Sequence, residues 1–495
     1  MPDSADQRLL DHVRPANWNC RPKPSYDLIV IGGGTAGLVS AVGAAGLGAQ
    51  VALIERDLLG GDCLNVGCVP SKAILRSARA VAEVRAARGL GVGAADPVVD
   101  FPAVMQRMRD LRGHLAKNDA AARLAAAGVD VIFGAARFSD RRQIEVNGVR
   151  LKFGRAVIAT GGRAAIPPIP GLVDAGYLTN ETVFSLTELP RRLLVIGAGA
   201  IGCELAQAFA LLGGIVTVAD LAARPMANED AEASEVVQRR LAMDGVHFEL
   251  GVSIQRIDRQ DGTVVARWER AGSRGDIEAD AVLVAAGRTP NVEALNLPAA
   301  GVAAGRGGIK VNERLQTSNP RVFAAGDVAA PWKFTHAADA TARLVIQNAL
   351  FFGRRRLSSL VVPWCTYTAP EVAHVGLTAE QAGRTGTSSI RVPFHDVDRA
   401  VLDGQTDGFV RVHHSKGRIL GATIVGAHAG ELIAHVADVM RRRGTLGDLS
   451  GVIFPYPTYS EALREAGDAY RRTLITPGAR RWLARYFAAR RWWAV

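Results

Sequence analysis

Short apolar runs alternate with glycine turns and alanine-rich, helix-like stretches in the first part of the chain. The run 26–31 enters a glycine turn, a helix-like stretch extends to about residue 47, and the run 50–54 ends at Glu55. Helix-like periodicity follows at about 71–88 and 102–127, and shorter strand-like pieces lie near 129–133 and 144–151. Short buried strands that alternate with helices indicate βαβ units and a parallel sheet.

The same pattern starts again near residue 193. The run 193–196 enters a second glycine turn and helix, and the run 215–218 ends at Asp220. An apolar segment at 281–291 closes this second unit. From about residue 360 the pattern changes to β-rich segments followed by helix-like stretches. The fold class predicted is therefore α/β, with two Rossmann-like dinucleotide-binding domains and a C-terminal α+β domain.

Both glycine turns have the spacing Gly-x-Gly-x-x-Gly between a strand and a helix. The glycines are Gly32, Gly34 and Gly37 in the first turn and Gly197, Gly199 and Gly202 in the second. Glycine lets the backbone approach a pyrophosphate at the helix N-terminus. Glu55 and Asp220, at the ends of the following strands, can each accept a hydrogen bond from a ribose hydroxyl. The two turns predict two bound dinucleotides.

Two cysteines, Cys63 and Cys68, follow the first unit. Five residues of straight helix would separate their Cα atoms by about 7.5 Å along the axis, slightly beyond disulfide reach. The intervening residues 65–67 include a glycine and can bend the first turn enough to close a bridge. Two buried free thiols are the alternative, but glycine, proline, serine and lysine surround the pair where a core would have apolar residues. We therefore expect a redox-active disulfide beside the first dinucleotide.

Composition and charge indicate which compartment and which kinds of partner to expect for this protein. The chain has 495 residues, enough for about three domains, and its five cysteines lack the spacing of a disulfide framework. Without a signal peptide or an apolar run of 18 residues, a cytoplasmic protein is expected, with the inner face of the membrane as an alternative location. Seven arginines and no acid lie within 471–495, and removing them from the net charge of +11 leaves +4. The basic charge thus belongs largely to a tail, and no nucleic-acid partner is expected.

The tail 477–495 has the pattern of an imperfect amphipathic helix. Arg490 falls inside its apolar arc and Trp492 falls outside it. The apolar arc contains Trp482, Leu483, Tyr486, Phe487 and Trp493. Arginine with interfacial aromatic residues is typical of contact with anionic lipids. Peripheral membrane contact and packing of the tail on its own dimer both remain open.

With these motifs in place, residues 25–475 resemble the flavin-dependent pyridine nucleotide–disulfide oxidoreductases, which include dihydrolipoamide dehydrogenase, glutathione reductase and mercuric reductase. The resemblance implies FAD on the first unit, NAD(P)H on the second and a homodimer formed by the C-terminal domain. The implied division is an N-terminal extension (1–24), an FAD-binding domain (25–185 and 317–355), an NAD(P)H-binding domain (186–316), an interface domain (356–475) and a basic aromatic tail (476–495).

The resemblance also implies which residues bind the cofactors. The residues implied for FAD are Gly32, Gly34, Thr35, Ala36, Gly37, Glu55, Arg56, Gly61, Asp62, Thr160, Gly161, Gly326, Asp327, Thr335, His336 and Ala337. The residues implied for NAD(P) are Gly197, Gly199, Ala200, Ile201, Gly202, Asp220, Gly287 and Arg288. The carboxylate of Asp220 would repel a 2′-phosphate, so NADH is expected in preference to NADPH, although Arg224 lies nearby in sequence.

In the family pattern, hydride passes from nicotinamide to flavin N5, and two electrons then pass to the cysteine pair. Cys68 matches the flavin-side sulfur, and Cys63 matches the interchange thiol that meets the substrate. Lys72 is expected to pair with Glu204 beside the flavin, where the pair can respond to the charge of the reduced ring. An ordinary salt bridge between domains is the alternative.

The chain departs from the dithiol-reducing members of the family near its C-terminus. Those enzymes have a His-Pro…Glu acid/base pair, whereas this chain has Tyr456 in the place of the histidine and keeps Glu461. A phenol with a pKa of about 10 is a poor proton shuttle near neutral pH. Mercuric reductases also have tyrosine there, but this chain lacks their C-terminal cysteine pair.

The function expected is therefore a mercuric-reductase-like flavoenzyme that passes electrons to Hg(II) or another soft metal ion. The substrate ion would be held transiently by Cys63 and Cys68. The alternatives are a disulfide or quinone reductase of dihydrolipoamide dehydrogenase type, and a membrane-associated flavin redox sensor or partner protein. No resident structural metal is expected, and His413 and His414 are interpreted as surface residues.

Overall fold

The structure, a computed structural model, describes residues 4–493. Its first sheet has seven strands and is mixed: the strand Ser25–Ile31 pairs in parallel with Val51–Glu55 on one side and with Val149–Ile158 on the other. The other strands of this sheet are Val129–Phe133, Gln143–Val146, Arg137–Asp140 and Val322–Ala324. The central strands are buried on both faces, as expected for parallel strands covered by helices.

The sequence predicts one strand-like piece over 144–151, whereas the structure has a hairpin. The strands Gln143–Val146 and Val149–Ile158 are antiparallel, and Asn147 and Gly148 between them both have positive φ, 51° and 77°. Asn-Gly is the preferred sequence for this two-residue turn. The Asn-Gly pair therefore indicates a turn at this position that the hydrophobic pattern alone does not reveal.

A second, fully parallel sheet contains the repeated unit. Its strands in spatial order are Val246–Leu250, Ile215–Asp220, Arg192–Ile196 and Ala281–Val284. A three-stranded antiparallel sheet accompanies it, formed by Ser253–Gln260, Thr263–Arg270 and Ser273–Ala279. Two small sheets complete the set: Arg288–Pro290 with Gly162–Ala164, and Ala304–Gly305 with Gly308–Ile309.

Helices cover these sheets. Helix Phe101–Leu115 begins after Asp100, whose carboxylate accepts a hydrogen bond from the Ala103 N–H at 2.9 Å. The stretch predicted as helical over 102–127 contains this helix and a second one, Ala121–Ala126. The α-helices of this part of the chain are Ser4–Val13, Thr35–Gly46, Gly61–Asn65, Cys68–Ala86, Phe101–Leu115, Ala121–Ala126, Leu172–Ala175, Ala200–Leu211, Leu297–Ala300 and Thr335–Leu350.

The C-terminal part of the chain forms a five-stranded antiparallel sheet covered by helices. Its strands in spatial order are Trp364–Thr366, Glu371–Gly376, Arg418–Gly426, Phe409–Ser415 and Ser388–Pro393. Its helices are Ala379–Arg384, Asp398–Leu402, Ala429–Arg441, Leu446–Ser450, Glu461–Thr473 and Pro477–Trp493. This is the predicted α+β arrangement.

The chain divides into two compact units, 1–225 with 241–360, and 226–240 with 361–495. Residues 226–240 thus belong with the C-terminal unit rather than with the predicted domain 186–316. The reason is a buried hydrogen-bond cluster: Asp230 accepts from the Thr423 hydroxyl at 2.6 Å and from the Ala379 N–H at 2.7 Å.

The predicted extension 1–24 contains a helix, Ser4–Val13, whose residues Ala5, Leu9 and Val13 are buried. Leu9 and Val13 belong to the hydrophobic core of the first sheet, so helix Ser4–Val13 is part of that core. Residues 1–3 of the predicted extension and 494–495 of the predicted tail lie outside the described residues.

The interpretation of His413 and His414 as surface residues is wrong. Both lie in the strand Phe409–Ser415 and are buried, and the His414 ring packs against Tyr470 of helix Glu461–Thr473 with ring centroids 5.0 Å apart. Nδ1 of His413 lies 2.6 Å from the Ser389 hydroxyl oxygen, and burial lowers the pKa of both histidines. Over residues 4–493, no helix is long and apolar enough to cross a membrane.

Candidate active site

The two glycine turns are built alike. A Cβ on Gly37 would lie 1.8 Å from the Gly32 carbonyl oxygen, and one on Gly202 would lie 1.9 Å from the Gly197 carbonyl oxygen. Gly37 and Gly202 are therefore required by the close approach of each helix to its glycine turn. A Cβ on the middle glycine, Gly199, would meet no protein atom within 4 Å.

The middle glycines face open space at helix N-termini. Gly34 and Gly199 are the N-cap residues of helices Thr35–Gly46 and Ala200–Leu211, and a Cβ on Gly34 would have only an ordinary contact, 3.6 Å from Gly61 Cα. A pyrophosphate suits this position because free N–H groups and the helix dipole point at it. The predicted residues Thr35, Ala36, Ala200 and Ile201 form the first turns of these helices, so both turns fit a dinucleotide.

The two predicted ribose carboxylates lie beside these turns. Glu55 accepts hydrogen bonds from the Gly33 N–H at 2.5 Å and the Asp57 N–H at 2.6 Å, and its burial raises its pKa. Asp220 accepts from the Ala198 N–H at 2.6 Å and the Ala222 N–H at 2.7 Å. Each carboxylate thus links the end of its strand to the adjacent glycine turn through a hydrogen bond. Arg56, also predicted for FAD, instead pairs with its exposed neighbour Asp57 at 2.9 Å.

The cysteine segment starts directly on the first glycine turn. The Gly60 N–H donates to the Gly33 carbonyl at 2.8 Å, and Gly61, with φ of 55°, approaches so closely that a Cβ on it would lie 2.6 Å from Gly34 Cα. These backbone contacts explain why the cysteine segment lies next to the first glycine turn, as the sequence predicts.

The two sulfurs are held as free thiols, the reduced form of the pair, and not as the predicted bridge. Cys63 lies in the short helix Gly61–Asn65, and Cys68 is the first residue of helix Cys68–Ala86. The chain therefore bends between the two cysteines, as expected. Sγ of Cys68 lies 3.2 Å from the Thr335 hydroxyl oxygen. A redox-active cysteine pair exists both as two thiols and as a disulfide, and the spacing of the cysteines in the sequence does not determine which form is present.

The surroundings favour a thiolate on Cys68 rather than on Cys63. A hydrogen bond from Cys63, a second from Thr335 and the charge of Lys72 lower the pKa of Cys68 against the opposing effect of burial. The same Cys63–Cys68 hydrogen bond, together with burial, raises the pKa of Cys63. Because helix Thr335–Leu350 begins at Thr335, its N-terminus also favours negative charge there.

Lys72 and Glu204 form the predicted ion pair, with Nζ of Lys72 2.7 Å from Oε2 of Glu204. Glu204 is buried, with 7% of its side chain exposed, and Lys72 is 37% exposed. The pair joins the helix of Cys68 to the first helix of the second glycine unit. Its charges act on Cys68 in opposite directions, and the lysine has the larger effect.

Arg288, predicted for NAD(P), lies beside Asp62 and Asp327, two of the residues predicted for FAD. It is in ionic contact with Asp62, its Nε lies 3.3 Å from Oδ2 of Asp327, and it donates to the Gly162 carbonyl at 2.7 Å. The cause is local: strand Arg288–Pro290 leaves the second unit and pairs with Gly162–Ala164. Gly287, with φ of 113°, makes the turn before it. Burial raises the pKa of Asp327, and Arg288 opposes the rise.

The remaining predicted flavin residues lie in two places. Thr160 donates from its hydroxyl to the Asn291 carbonyl at 2.6 Å, and the adjoining Gly161 has φ of 63°. Gly326, with φ of 74°, begins the turn that contains Asp327, and His336 stacks on Phe334 with ring centroids 5.6 Å apart. Ala337 is buried in the first turn of helix Thr335–Leu350.

Arg112 braces the bend between the cysteines, and no sequence motif marks this role. The buried Arg112 donates to the Asn65 carbonyl at 2.9 Å and pairs with Asp6 of the N-terminal helix at 2.6 Å. The Asn65 side-chain amide donates to the Leu59 and Gly61 carbonyls. The sequence does not reveal this role of Arg112, because only the folded chain brings its helix and the N-terminal helix to this bend.

Tyr456 and Glu461, in the C-terminal unit, each have another partner. The Tyr456 hydroxyl donates to Asp398 at 2.7 Å, which raises the pKa of the phenol, and its residue is 69% exposed. Glu461 pairs with Arg464 at 2.9 Å. This arrangement is not the hydrogen-bonded acid/base relay of dithiol chemistry. Among residues 4–493, no cluster of three or more His, Cys, Asp or Glu side chains could hold a metal ion.

The sequence profile of the pyridine nucleotide–disulphide oxidoreductases matches residues 26–342, and the profile of their dimerisation domain matches residues 362–467. The mercuric reductase of Staphylococcus aureus is 36% identical over 446 residues, which cover 89% of this chain and 82% of the relative. The dihydrolipoyl dehydrogenase of Thermus scotoductus is 36% identical over 469 residues, 91% of this chain and 98% of the relative.

A solved structure has the same fold. The copper(II) complex of the HOCl-induced flavoprotein disulfide reductase RclA from Escherichia coli superposes with a TM-score of 0.81 at 28% identity, covering 90% of this chain and all of that one.

Proposed function

Because the chain belongs to the FAD-dependent pyridine nucleotide–disulphide oxidoreductase family, we propose that it passes electrons from NADH through FAD and Cys63–Cys68 to a soft metal ion. Hg(II) is the first candidate substrate, and Cu(II) is the second. Two electrons pass from NADH to Hg(II), which gives NAD⁺, one proton and elemental mercury.

Bound FAD would accept hydride from the nicotinamide and supply two electrons to the sulfur pair. The chain's own residues then prepare the sulfurs. Thr335 and Lys72 favour the thiolate of Cys68, and Cys63, whose pKa is raised, keeps a proton to donate to it. Both sulfurs together supply the soft ligands that Hg(II) prefers.

The observation that carries the choice of acceptor is the Tyr456–Asp398 hydrogen bond. Reduction of a disulfide needs a group that gives and takes protons near neutral pH, and a phenol whose pKa is raised by a carboxylate is a poor one. Reduction of a metal ion needs no such relay. The names of the relatives from Staphylococcus aureus and the copper complex favour the same class of acceptor.

The family's dimerisation domain supports a homodimer. For the coenzyme we propose NADH rather than NADPH. Asp220 lies at the end of its strand beside the glycine turn, where a ribose hydroxyl can donate to its carboxylate and a 2′-phosphate would be repelled. The ratio of kcat/KM for the two coenzymes tests this preference.

The second candidate is a disulfide or quinone reductase, which the name of the Thermus scotoductus relative favours. The test is a screen of NADH oxidation by the FAD-loaded enzyme with Hg(II), Cu(II), lipoamide and a soluble quinone. We expect turnover with Hg(II) that Cys63→Ser and Cys68→Ser abolish and that Cys365→Ser retains. Lipoamide turnover above that with the metal ions would overturn the proposal in favour of the second candidate.

A further inference from the structure

The tail helix Pro477–Trp493 exposes an aromatic strip. None of its residues is buried, and Trp482 and Trp493 are 64% and 83% exposed. Trp482 stacks on Tyr486 with centroids 5.8 Å apart, and Tyr486 contacts Phe487 at 5.3 Å. Leu483 lies on the same side at helical spacing. A solvent-facing strip of large aromatic rings is costly and marks a contact surface.

Positive charge flanks this strip. Residues 471–495 contain seven arginines and no acid. At 100° per residue, Arg480 and Arg491 border the aromatic arc on one side, and Arg481 and Arg485 lie on the opposite face. Arg490 falls within the arc, where a long side chain can extend its guanidinium to the polar region.

We propose that helix Pro477–Trp493 binds the surface of a bilayer that contains anionic phospholipid. Aromatic rings would enter the interfacial region, and the arginines would pair with lipid phosphates. The helix would lie in the plane of the surface, since no helix within residues 4–493 can span a bilayer.

The charge of the tail favours lipid over a second copy of the chain. Two copies of this helix would bring like charges together, and the cores of protein interfaces are depleted in charged residues. An anionic surface attracts every arginine instead, with an energy that adds up over the helix.

A segment of the other unit has the same chemistry. Phe351 and Phe352 follow helix Thr335–Leu350, Phe352 is 91% exposed with φ of 53°, and the exposed Arg354, Arg355 and Arg356 come next. In peripheral membrane segments, phenylalanine enters the interfacial region and neighbouring arginine stays at the polar surface. This segment is a second candidate contact.

The test is co-sedimentation of the full chain with vesicles of phosphatidylcholine alone and of phosphatidylcholine with phosphatidylglycerol. We expect binding only to the anionic vesicles, weakened by salt, with a blue shift of tryptophan emission. The variant Arg480→Gln/Arg491→Gln, which removes the two arginines that border the aromatic arc, should bind about 25-fold more weakly, roughly five-fold per arginine. The matched control Arg274→Gln/Arg384→Gln removes the same charge from exposed positions elsewhere and should bind like wild type.

Trp482→Ala/Trp493→Ala should weaken vesicle binding and leave the oligomeric state unchanged. Equal binding to neutral and anionic vesicles, or equal weakening by the control pair, would overturn the proposal. Loss of the dimer in the tryptophan variant without vesicle binding by wild type would show that the helix covers a second copy. The acceptor screen is a separate readout, so a failure here leaves the proposed function standing.

Discussion

The hydroxyl of Thr335 stabilises the Cys68 thiolate, and Thr335→Val removes that hydroxyl with little change in shape. The 3.2 Å contact is the second of two hydrogen bonds that favour the anion. A hydrogen bond to a charged group contributes about 1.5–3 kcal/mol, and one pKa unit corresponds to about 1.4 kcal/mol. Because sulfur is a weak acceptor, we take the lower end and expect a rise of about one pKa unit.

The direction of the pH dependence follows. The surroundings lower the pKa of Cys68 to about 6, so the thiolate is present above pH 6 and is lost as the pH falls through that value. In Thr335→Val the loss should begin about one unit higher. Below both midpoints the variant should have roughly ten-fold less thiolate than the parent protein.

The assay is the rate of Cys68 alkylation by iodoacetamide against pH, followed by mass spectrometry of the Cys68 peptide. It uses the holoenzyme with Cys63→Ser, which keeps a donor at that position and removes the competing thiol. Thr335→Ser retains the hydroxyl and is the matched control. Equal midpoints for the valine, serine and parent proteins would refute the reasoning.

Three further outcomes are expected. Lys72→Met should raise the same midpoint and lower the free energy of unfolding by about 2 kcal/mol, measured by urea denaturation, because its buried partner loses its counter-charge. Gly199→Ala should raise KM for NADH and keep stability within about 0.5 kcal/mol, whereas Gly202→Ala should cost about 3 kcal/mol, since its Cβ would meet a carbonyl at 1.9 Å. Arg112→Met should increase amide hydrogen exchange around Asn65 while Arg112→Lys does so less; unchanged exchange in both would contradict the proposed brace.

The dinucleotide units could be predicted because their signals are local. Strand, glycine spacing and terminal carboxylate stand in one short stretch, and the close approaches of Gly37 and Gly202 explain why the spacing is strict. The place of the cysteine segment beside the first glycine turn could be predicted for the same reason, because the two are close in sequence.

What could not be predicted depends on contacts between distant segments. Arg112, Asp6 and Asn65 meet only because the N-terminal helix packs on helix Phe101–Leu115. Arg288 was grouped by its place in the chain, yet its strand pairs with another part of the fold. His413 is likewise covered through a contact with Ser389 of a strand that is distant in the sequence, which a two-residue histidine pattern does not reveal.

The central claim is that NADH reduces a Cys63–Cys68 disulfide through FAD. The most direct measurement counts free thiols in the anaerobic, FAD-loaded protein before and after NADH, by alkylation, denaturation and mass spectrometry. The account predicts that Cys20, Cys203 and Cys365 are free before NADH and that all five cysteines are free afterwards. Five free thiols in the air-oxidised protein, or a bridge between Cys63 and Cys68 that NADH leaves intact, would contradict it.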